Sequence, residues 1–153
     1  MARFPSAVYR ISQEFDAPID FVFRWCTDYS PQDAALEKEH YERRILARSS
    51  KQVTYEDLES DKNGWVWRRY VVDLLPPDRW HAESVGNRRL SSIDYRLTEL
   101  PGARTRLDFV WRRTGIEGYP RNPPKRATER DATRDWENFG RALERDYRKS
   151  RRG

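Results

Sequence analysis

Six strand-like segments follow one another through the middle of the chain, and only a few residues separate each segment from the next. Short connections form hairpins, whereas parallel strands need crossovers of a dozen residues or more. The pattern therefore predicts an antiparallel meander and argues against a doubly wound α/β fold. The predicted strands cover residues 40–49, 52–60, 64–75, 79–85, 90–100 and 104–114.

Turn residues mark the ends of these strands. Asn63 and Gly64 together readily supply the positive φ of a hairpin turn. The Pro-Pro-Asp stretch at 76–78 ends the next strand, because proline donates no hydrogen bond to a strand ladder. The remaining turns are predicted at residues 50–51, 86–87 and 101–102.

One strand and two short helices are predicted before the meander. From Val8 to Phe15 polar and apolar residues alternate, which is the period of a half-buried strand. Asp16 is placed to cap the helix that follows, and Pro18 is tolerated in its first turn. This apolar helix ends near residue 28, and a second short helix is predicted from about residue 30 to about residue 38.

The last helix has the clearest pattern in the sequence. After a proline-rich loop over residues 115–125, Thr128 with Asp131 three residues later resembles a capping box. Apolar residues then recur at helical spacing. A glycine among them indicates close approach by the sheet or by a ligand, and simple packing is favoured. The stripe consists of Ala132, Trp136, Phe139, Gly140, Leu143 and Tyr147.

Length and composition fit one folded domain. The chain has 153 residues, with neither internal repeats nor a linker. Charged residues make up 36% of it, yet 13% are aromatic, including 6 Trp and 8 Tyr, and disordered chains are poor in such residues. We therefore expect a single domain over residues 1–153, in which residues 144–153 form a basic helix end and tail.

The net charge of +5 lies entirely in the segment from residue 121 onward. That segment holds 11 Lys/Arg and 6 Asp/Glu, whereas the first 120 residues are neutral in sum. An anionic membrane surface would be attracted to such a segment, but a solvated helix face is the favoured interpretation. No RNA-binding signature accompanies the charge, so nucleic acid is not an expected partner. The oligomeric state stays open.

The cysteine content indicates the redox environment of the protein. Cys26 is the single cysteine, which excludes an internal disulfide and favours a reducing environment. It lies in an apolar helical stretch, where a small buried side chain is favoured over a nucleophile. The sequence contains no signal peptide and no apolar run of about 18 residues. We therefore expect a cytoplasmic protein.

Four stretches give the chain a family resemblance. Residues 9–18 run from a strand into Asp-Ala-Pro, residues 21–28 read FVFRWCTD, residues 71–80 read VVDLLPPDRW, and residues 136–143 belong to the last helix. With the element order, these stretches resemble the START/Bet v 1-like (SRPBCC) superfamily, and within it the polyketide cyclase/dehydrase-like and lipid-transport proteins.

The resemblance implies an α+β helix-grip fold. In this fold a seven-stranded, curved antiparallel sheet wraps around a long C-terminal helix and leaves a cavity between them. Members bind lipids, sterols, polyketides, quinones or plant hormones, and a minority catalyse cyclisation or dehydration. The ligand is not fixed by the fold, because function lies in the cavity residues.

The inward strand faces and the helix stripe supply the candidate ligand-binding residues. On strand 64–75 two registers are possible, and the one that points Tyr70, Val72 and Leu74 inward is favoured over the one that points Trp67 and Val71 inward. Tyrosines of the set would offer hydroxyl groups to a ligand. The candidates are Tyr55, Tyr70, Val72, Leu74, Ile93, Tyr95, Leu97, Leu107, Phe109, Trp111, Trp136, Phe139, Gly140 and Leu143.

Residues suited to catalysis are few. An inward Arg43 would need an acidic partner or an anionic ligand, because an unpaired buried guanidinium is costly, and a solvated Arg43 is favoured. His40 and His81 are favoured as surface residues, although His81 and Asp94 on neighbouring strands would make an acid/base pair. No metal-ligand spacing occurs and no cofactor is expected.

These observations predict binding or transport of a small hydrophobic ligand, such as a lipid, a quinone or a polyketide-like molecule. The alternative is an aromatase/cyclase-like enzyme acting on a polyketide-type substrate, for which preorganised polar groups would have to converge in the cavity. The sequence identifies no catalytic residue.

Overall fold

The computed structural model describes residues 4–152 and shows one seven-stranded sheet and three helices within them. The predicted α+β order of one strand, two short helices, six strands and a long helix is confirmed. In chain order the elements are β1 (Ser6–Phe15), α1 (Ile19–Cys26), α2 (Asp33–Glu37), β2 (Glu42–Arg48), β3 (Gln52–Asp61), β4 (Gly64–Leu75), β5 (Arg79–Gly86), β6 (Leu90–Leu100), β7 (Arg104–Thr114) and α3 (Lys125–Ser150).

The sheet is antiparallel throughout, with the strand order β1-β7-β6-β5-β4-β3-β2. Strands β2 to β7 form the predicted meander, and β1 pairs with β7 at its far end. α1 and α2 therefore carry the chain from one edge strand of the sheet to the opposite edge strand.

Two predicted helix starts are wrong. α3 begins at Lys125 behind Pro124, and the N–H of Thr128 donates to the carbonyl of Pro124 at 3.0 Å, so Thr128 lies inside the first turn. Proline is tolerated at this cap position, because a residue outside the helix needs no N–H for the helical hydrogen bonds. At α1 the cap position is occupied by Pro18 with no side-chain cap bond, so Asp16 does not cap the helix.

α2 is shorter than predicted. The residues before it form a turn in which the N–H of Ser30 donates to Asp28 Oδ1 at 3.1 Å and the N–H of Gln32 donates to Ser30 Oγ at 3.2 Å. Lys38 then ends the helix in a left-handed conformation with φ of 58°. The chain straightens only afterwards, and β2 begins at Glu42 rather than at residue 40.

β4 has the register that its sequence favoured. Val72 is fully buried, and Tyr70 and Leu74 pack against the same core. Trp65, on the opposite face, is exposed. The inner face of the sheet is therefore the one that carries the predicted apolar series.

Gly140 lies where α3 packs against β1. A Cβ added at Gly140 would lie 3.4 Å from Gln13 Nε2 and 3.5 Å from Cε1 of the Phe15 ring. These are ordinary contact distances to the sheet. Gly140 therefore packs against the sheet, as the sequence favoured, and does not line the cavity.

Candidate functional site

A cavity of about 240 Å³ lies between the inner face of the sheet and α3, with α1 and α2 supplying further walls. Aromatic side chains make up most of its apolar surface. Eight of the predicted ligand-binding residues line it: Tyr55, Tyr70, Ile93, Tyr95, Phe109, Trp111, Trp136 and Phe139.

The other six predicted residues do not line the cavity. They belong to the packed part of the interior, where the sheet and the helix meet without a gap. Periodicity identifies the inward face of a strand, but it does not tell which positions along that face are covered by neighbouring side chains. The six are Val72, Leu74, Leu97, Leu107 and Leu143, which lie in or against the core, and Gly140, which faces β1.

A continuous set of rings forms one wall of the cavity. Trp80 and Tyr95 stack with centroids 4.7 Å apart and planes 9° apart. Tyr95 lies 5.1 Å from Phe109, which lies 5.5 Å from Trp136 on α3. Trp80 was not among the predicted residues. The alternation of Trp80 and Ala82 with polar neighbours is the signal that would have found it.

Arg43 lies at the polar end of the cavity, so the favoured interpretation of a solvated Arg43 is wrong. Its Nε and Nη2 donate to the two carboxylate oxygens of Asp57 at 2.8 and 2.9 Å, and its Nη1 donates to Asp33 Oδ2 at 2.6 Å. The Tyr55 ring lies 4.3 Å from the guanidinium carbon. Two carboxylates thus provide the acidic partners that an inward guanidinium requires.

Two carboxyl groups from α2 also face this end of the cavity. Burial raises the pKa of Glu37 to about 8, although the positive charge of Arg43 opposes the shift. Burial likewise raises the pKa of Asp33 to about 6, against the same opposing charge. At neutral pH Glu37 is therefore mostly protonated, whereas Asp33 is mostly ionised.

Sequence reasoning missed these acidic residues. Asp33 and Glu37 are four residues apart and share one face of a helix, which is a signal that was available. Nothing local shows that this face turns toward β2. The pairing of Asp57 could not be predicted from local sequence either, because its partner Arg43 lies on another strand.

The two histidines lie outside the cavity. His81 is on the outer face of β5, where its Nδ1 lies 2.7 Å from Asp94 Oδ1 and its Nε2 lies 2.7 Å from Glu83 Oε1. Burial opposes a charge on the ring, but the two carboxylates outweigh it and raise the pKa of His81. The pair with Asp94 therefore exists, but it faces away from the cavity. His40 is exposed.

Cys26 lines the cavity, and burial raises the pKa of its thiol well above the usual value, which disfavours the nucleophilic thiolate.

Among residues 4–152, no three or more His, Cys, Asp or Glu side chains are grouped to hold a metal ion. No helix in that range has both the length and the apolar character needed to cross a membrane.

No protein-family model matches the sequence, and no curated protein matches it either. Solved structures do share its architecture. A START superfamily protein from Mycobacterium smegmatis aligns with a TM-score of 0.63 at 14% identity, over 93% of this chain and 97% of that one. The Zhui aromatase/cyclase from Streptomyces sp. R1128 aligns with a TM-score of 0.66 at 13% identity, over 94% of each chain.

A third structure, Ara h 8.0201, aligns with a TM-score of 0.64 at 10% identity, over 92% of this chain and 96% of that one. Identities this low show the fold alone. The chain has the START/Bet v 1-like helix-grip fold, as its sequence stretches and element order predicted.

Proposed function

We propose that the chain binds or transports a small hydrophobic ligand, such as a lipid, a quinone or a polyketide-like molecule, in the cavity beneath α3. The observation that carries the proposal is the hollow of about 240 Å³ that stays open among the aromatic side chains. Ligand sites are mostly apolar concavities with a few convergent polar groups, and this cavity has both. An apolar cavity of about 150 Å³ is enough for benzene, so we expect a ligand of at least that size.

Binding of a neutral apolar dye tests the proposal. N-phenyl-1-naphthylamine fluoresces in apolar surroundings, and we expect it to bind the wild-type protein and to be displaced by hydrophobic ligands. Native mass spectrometry of the freshly purified protein would show any ligand that is retained. A wild-type protein that fails to bind the dye and carries no ligand would contradict the proposal.

Filling the cavity locates the binding site. Ile93→Trp places an indole where Ile93 lines the hollow, and we expect it to weaken dye binding about tenfold or more. Val85→Trp, at an exposed position of the neighbouring strand, is the matched control and should leave binding unchanged. Equal effects of the two substitutions would place the dye outside the cavity. Thermal denaturation of both variants checks that each is folded.

A second candidate function is an aromatase/cyclase-like enzyme acting on a polyketide-type substrate. The observation that favours it is the group of ionisable side chains at the polar end, where a protonated Glu37 lies beside an ionised Asp33 and Arg43. A neutral carboxyl group at neutral pH is suited to donate a proton to a substrate carbonyl. A structural neighbour described as an aromatase/cyclase adds support.

The test is cyclisation of a poly-β-ketone substrate by the wild-type protein and by Glu37→Gln, which keeps the shape of the side chain but cannot give up a proton in the same way. We expect turnover by the wild-type protein and loss of most of it in the variant. Equal product formation by both proteins and by buffer would leave ligand binding as the function.

The basic end of α3 is proposed to help the protein approach anionic membranes from the cytoplasm. Arg148 and Lys149 lie exposed in the last helical turn. Attraction of this kind weakens steeply with salt. Flotation with vesicles that contain phosphatidylserine, compared with neutral vesicles at low and high salt, tests it, and equal recovery with both kinds of vesicle would contradict it.

A further inference from the structure

Arg113 is a buried arginine near the cavity that has no salt-bridge partner among residues 4–152. It follows Phe109 and Trp111 on the inner face of β7, because side chains two residues apart along a strand share a face. Only 8% of the residue is exposed. Its guanidinium carbon lies 4.6 Å from the centroid of the Trp111 ring, which itself lines the cavity. The ring covers one face of the guanidinium, but the Nε atom has no hydrogen-bond partner in the described part of the chain.

Small side chains separate Arg113 from the cavity wall formed by β4. On the inner face, Tyr70 pairs with Ser84, Ser84 with Ser91, and Ser91 with Arg113 across four strands. Both serines are buried. Arg68 lies two residues before Tyr70 on the same face and lines the cavity. The row thus runs from the cavity to Arg113 with only two short side chains in between.

The arginines at this end of the interior outnumber the carboxylates that pair with them. Arg68 Nη2 lies 3.2 Å from Glu59 Oε1, and Arg88 Nη1 lies 2.6 Å from Asp61 Oδ2. Glu59 and Asp61 are occupied by these two pairs, and Asp57, which lies opposite Arg68 on β3, is bound by Arg43. The Nε atoms of Arg68 and Arg88 are nevertheless buried, and neither has a hydrogen-bond partner within residues 4–152.

Arg89 and Arg113 form no salt bridge with any residue between 4 and 152. Burial lowers the pKa of Arg89, and the positive charge of Arg68 lowers it further. Arg43, two strands away from Arg68 across the same sheet, shows the contrast, since two carboxylates bind it directly. A buried guanidinium is stable when it is paired and costly when it is not.

We propose that Arg113, together with Arg89 and Arg68, binds the anionic group of the cavity ligand. The inference rests on the proposed ligand-binding function and narrows its ligand class. The ligand would be amphipathic, with an apolar body among the aromatic rings and a carboxylate, sulfonate or phosphate group directed toward the guanidinium groups. Guanidinium groups suit such anions because their N–H donors match the spacing of the oxygens.

Two dyes with the same aromatic skeleton test the charge preference. 8-Anilinonaphthalene-1-sulfonate differs from N-phenyl-1-naphthylamine by one sulfonate group. In Arg113→Met, we expect affinity for the sulfonate dye to fall about tenfold or more relative to affinity for the neutral dye. Arg113→Lys keeps the charge and should recover part of the loss. Arg112→Met removes an exposed arginine from the outer face of β7 and should leave the ratio of the two dye affinities unchanged.

The outcomes separate the two proposals. Suppose that the neutral dye binds the wild-type protein. If the affinity for the sulfonate dye relative to the neutral dye is then the same in Arg113→Met, or falls equally in Arg112→Met, the anion-binding subsite is refuted and the cavity proposal stands. If neither dye binds the wild-type protein, the cavity proposal is refuted and the subsite with it.

Thermal denaturation gives a second readout, which a purely structural arginine would not share. Without ligand, Arg113→Met removes an uncompensated buried charge and should melt higher than the wild-type protein, whereas loss of a structural arginine would lower the melting temperature. The wild-type protein should be stabilised more by 1-naphthoate or 1-naphthyl phosphate than by neutral 1-naphthol. The larger of the melting-temperature shifts with 1-naphthoate and 1-naphthyl phosphate identifies the favoured anion. Equal shifts with all three compounds would refute the proposal.

Discussion

Asp57→Asn tests how much the pairing of Arg43 contributes to the stability of the fold. The substitution keeps the volume of the side chain and removes its charge. The side chains of Arg43 and Asp57 are 6% and 4% exposed, and two hydrogen bonds of 2.8 and 2.9 Å join them. Breaking such a buried pair costs about 3–5 kcal/mol, because the remaining charge is left without its partner.

The lower part of that range is expected here. Asp33 keeps its own contact with the guanidinium at 2.6 Å and would compensate in part. A loss of about 3 kcal/mol would lower the melting temperature by roughly 6–12 °C in a domain of this size. Urea denaturation of the wild-type protein and the variant, followed by tryptophan fluorescence, measures the free energy directly.

An exposed pair of similar length provides the control. Arg106 Nε lies 2.9 Å from Asp108 Oδ2, but these side chains are 42% and 48% exposed. Exposed pairs contribute less than about 1 kcal/mol, so Asp108→Asn should have a much smaller effect than Asp57→Asn. Equal losses in the two variants would refute the reasoning that burial makes the Arg43 pair important.

Two further substitutions test the pH dependence and the packing. Because burial raises the pKa of Glu37 from 4.5 to about 8, the folded protein holds a proton that the unfolded chain releases, and its stability should fall as the pH rises through that range. Glu37→Gln should make this fall smaller, which urea denaturation at about pH 5 and about pH 9 checks, and equal pH dependence in both proteins would contradict it. The Cβ that Gly140→Ala adds would lie at contact distance from Gln13 and Phe15. Alanine is favoured over glycine inside a helix, so the variant should raise the free energy of unfolding by about 0.5–1 kcal/mol. A lower melting temperature would contradict this.

The two ends of the interior differ in charge balance. At the Arg43 end the guanidinium has two carboxylates, and a protonated Glu37 lies beside them. At the Arg113 end the guanidinium has none among residues 4–152. If both proposals hold, this asymmetry orients the ligand, because an anionic group is attracted to the unpaired arginines and gains little at the neutralised end.

Local patterns in the sequence determined the elements and their order. Alternation of polar and apolar residues predicted the strands, the Asn63-Gly64 pair marked a hairpin turn, and the stripe from Trp136 to Leu143 predicted the last helix. These signals are local because backbone conformation and burial of one face depend on residues within a few positions of each other. The hairpin spacing then led to an antiparallel meander, since no connection between its six strands is long enough for a crossover.

Only the tertiary structure decided where the interior is filled and which charges meet. Leu107 and Phe109 share a strand face, yet Leu107 packs in the core while Phe109 lines the cavity. Arg43 forms salt bridges with Asp57 on β3 and with Asp33 on α2, whereas Arg113 forms none with residues 4–152. These outcomes depend on contacts between residues far apart in sequence. The alternation of polar and apolar residues indicates which face of a strand is buried, but not which side chains from distant elements meet on that face.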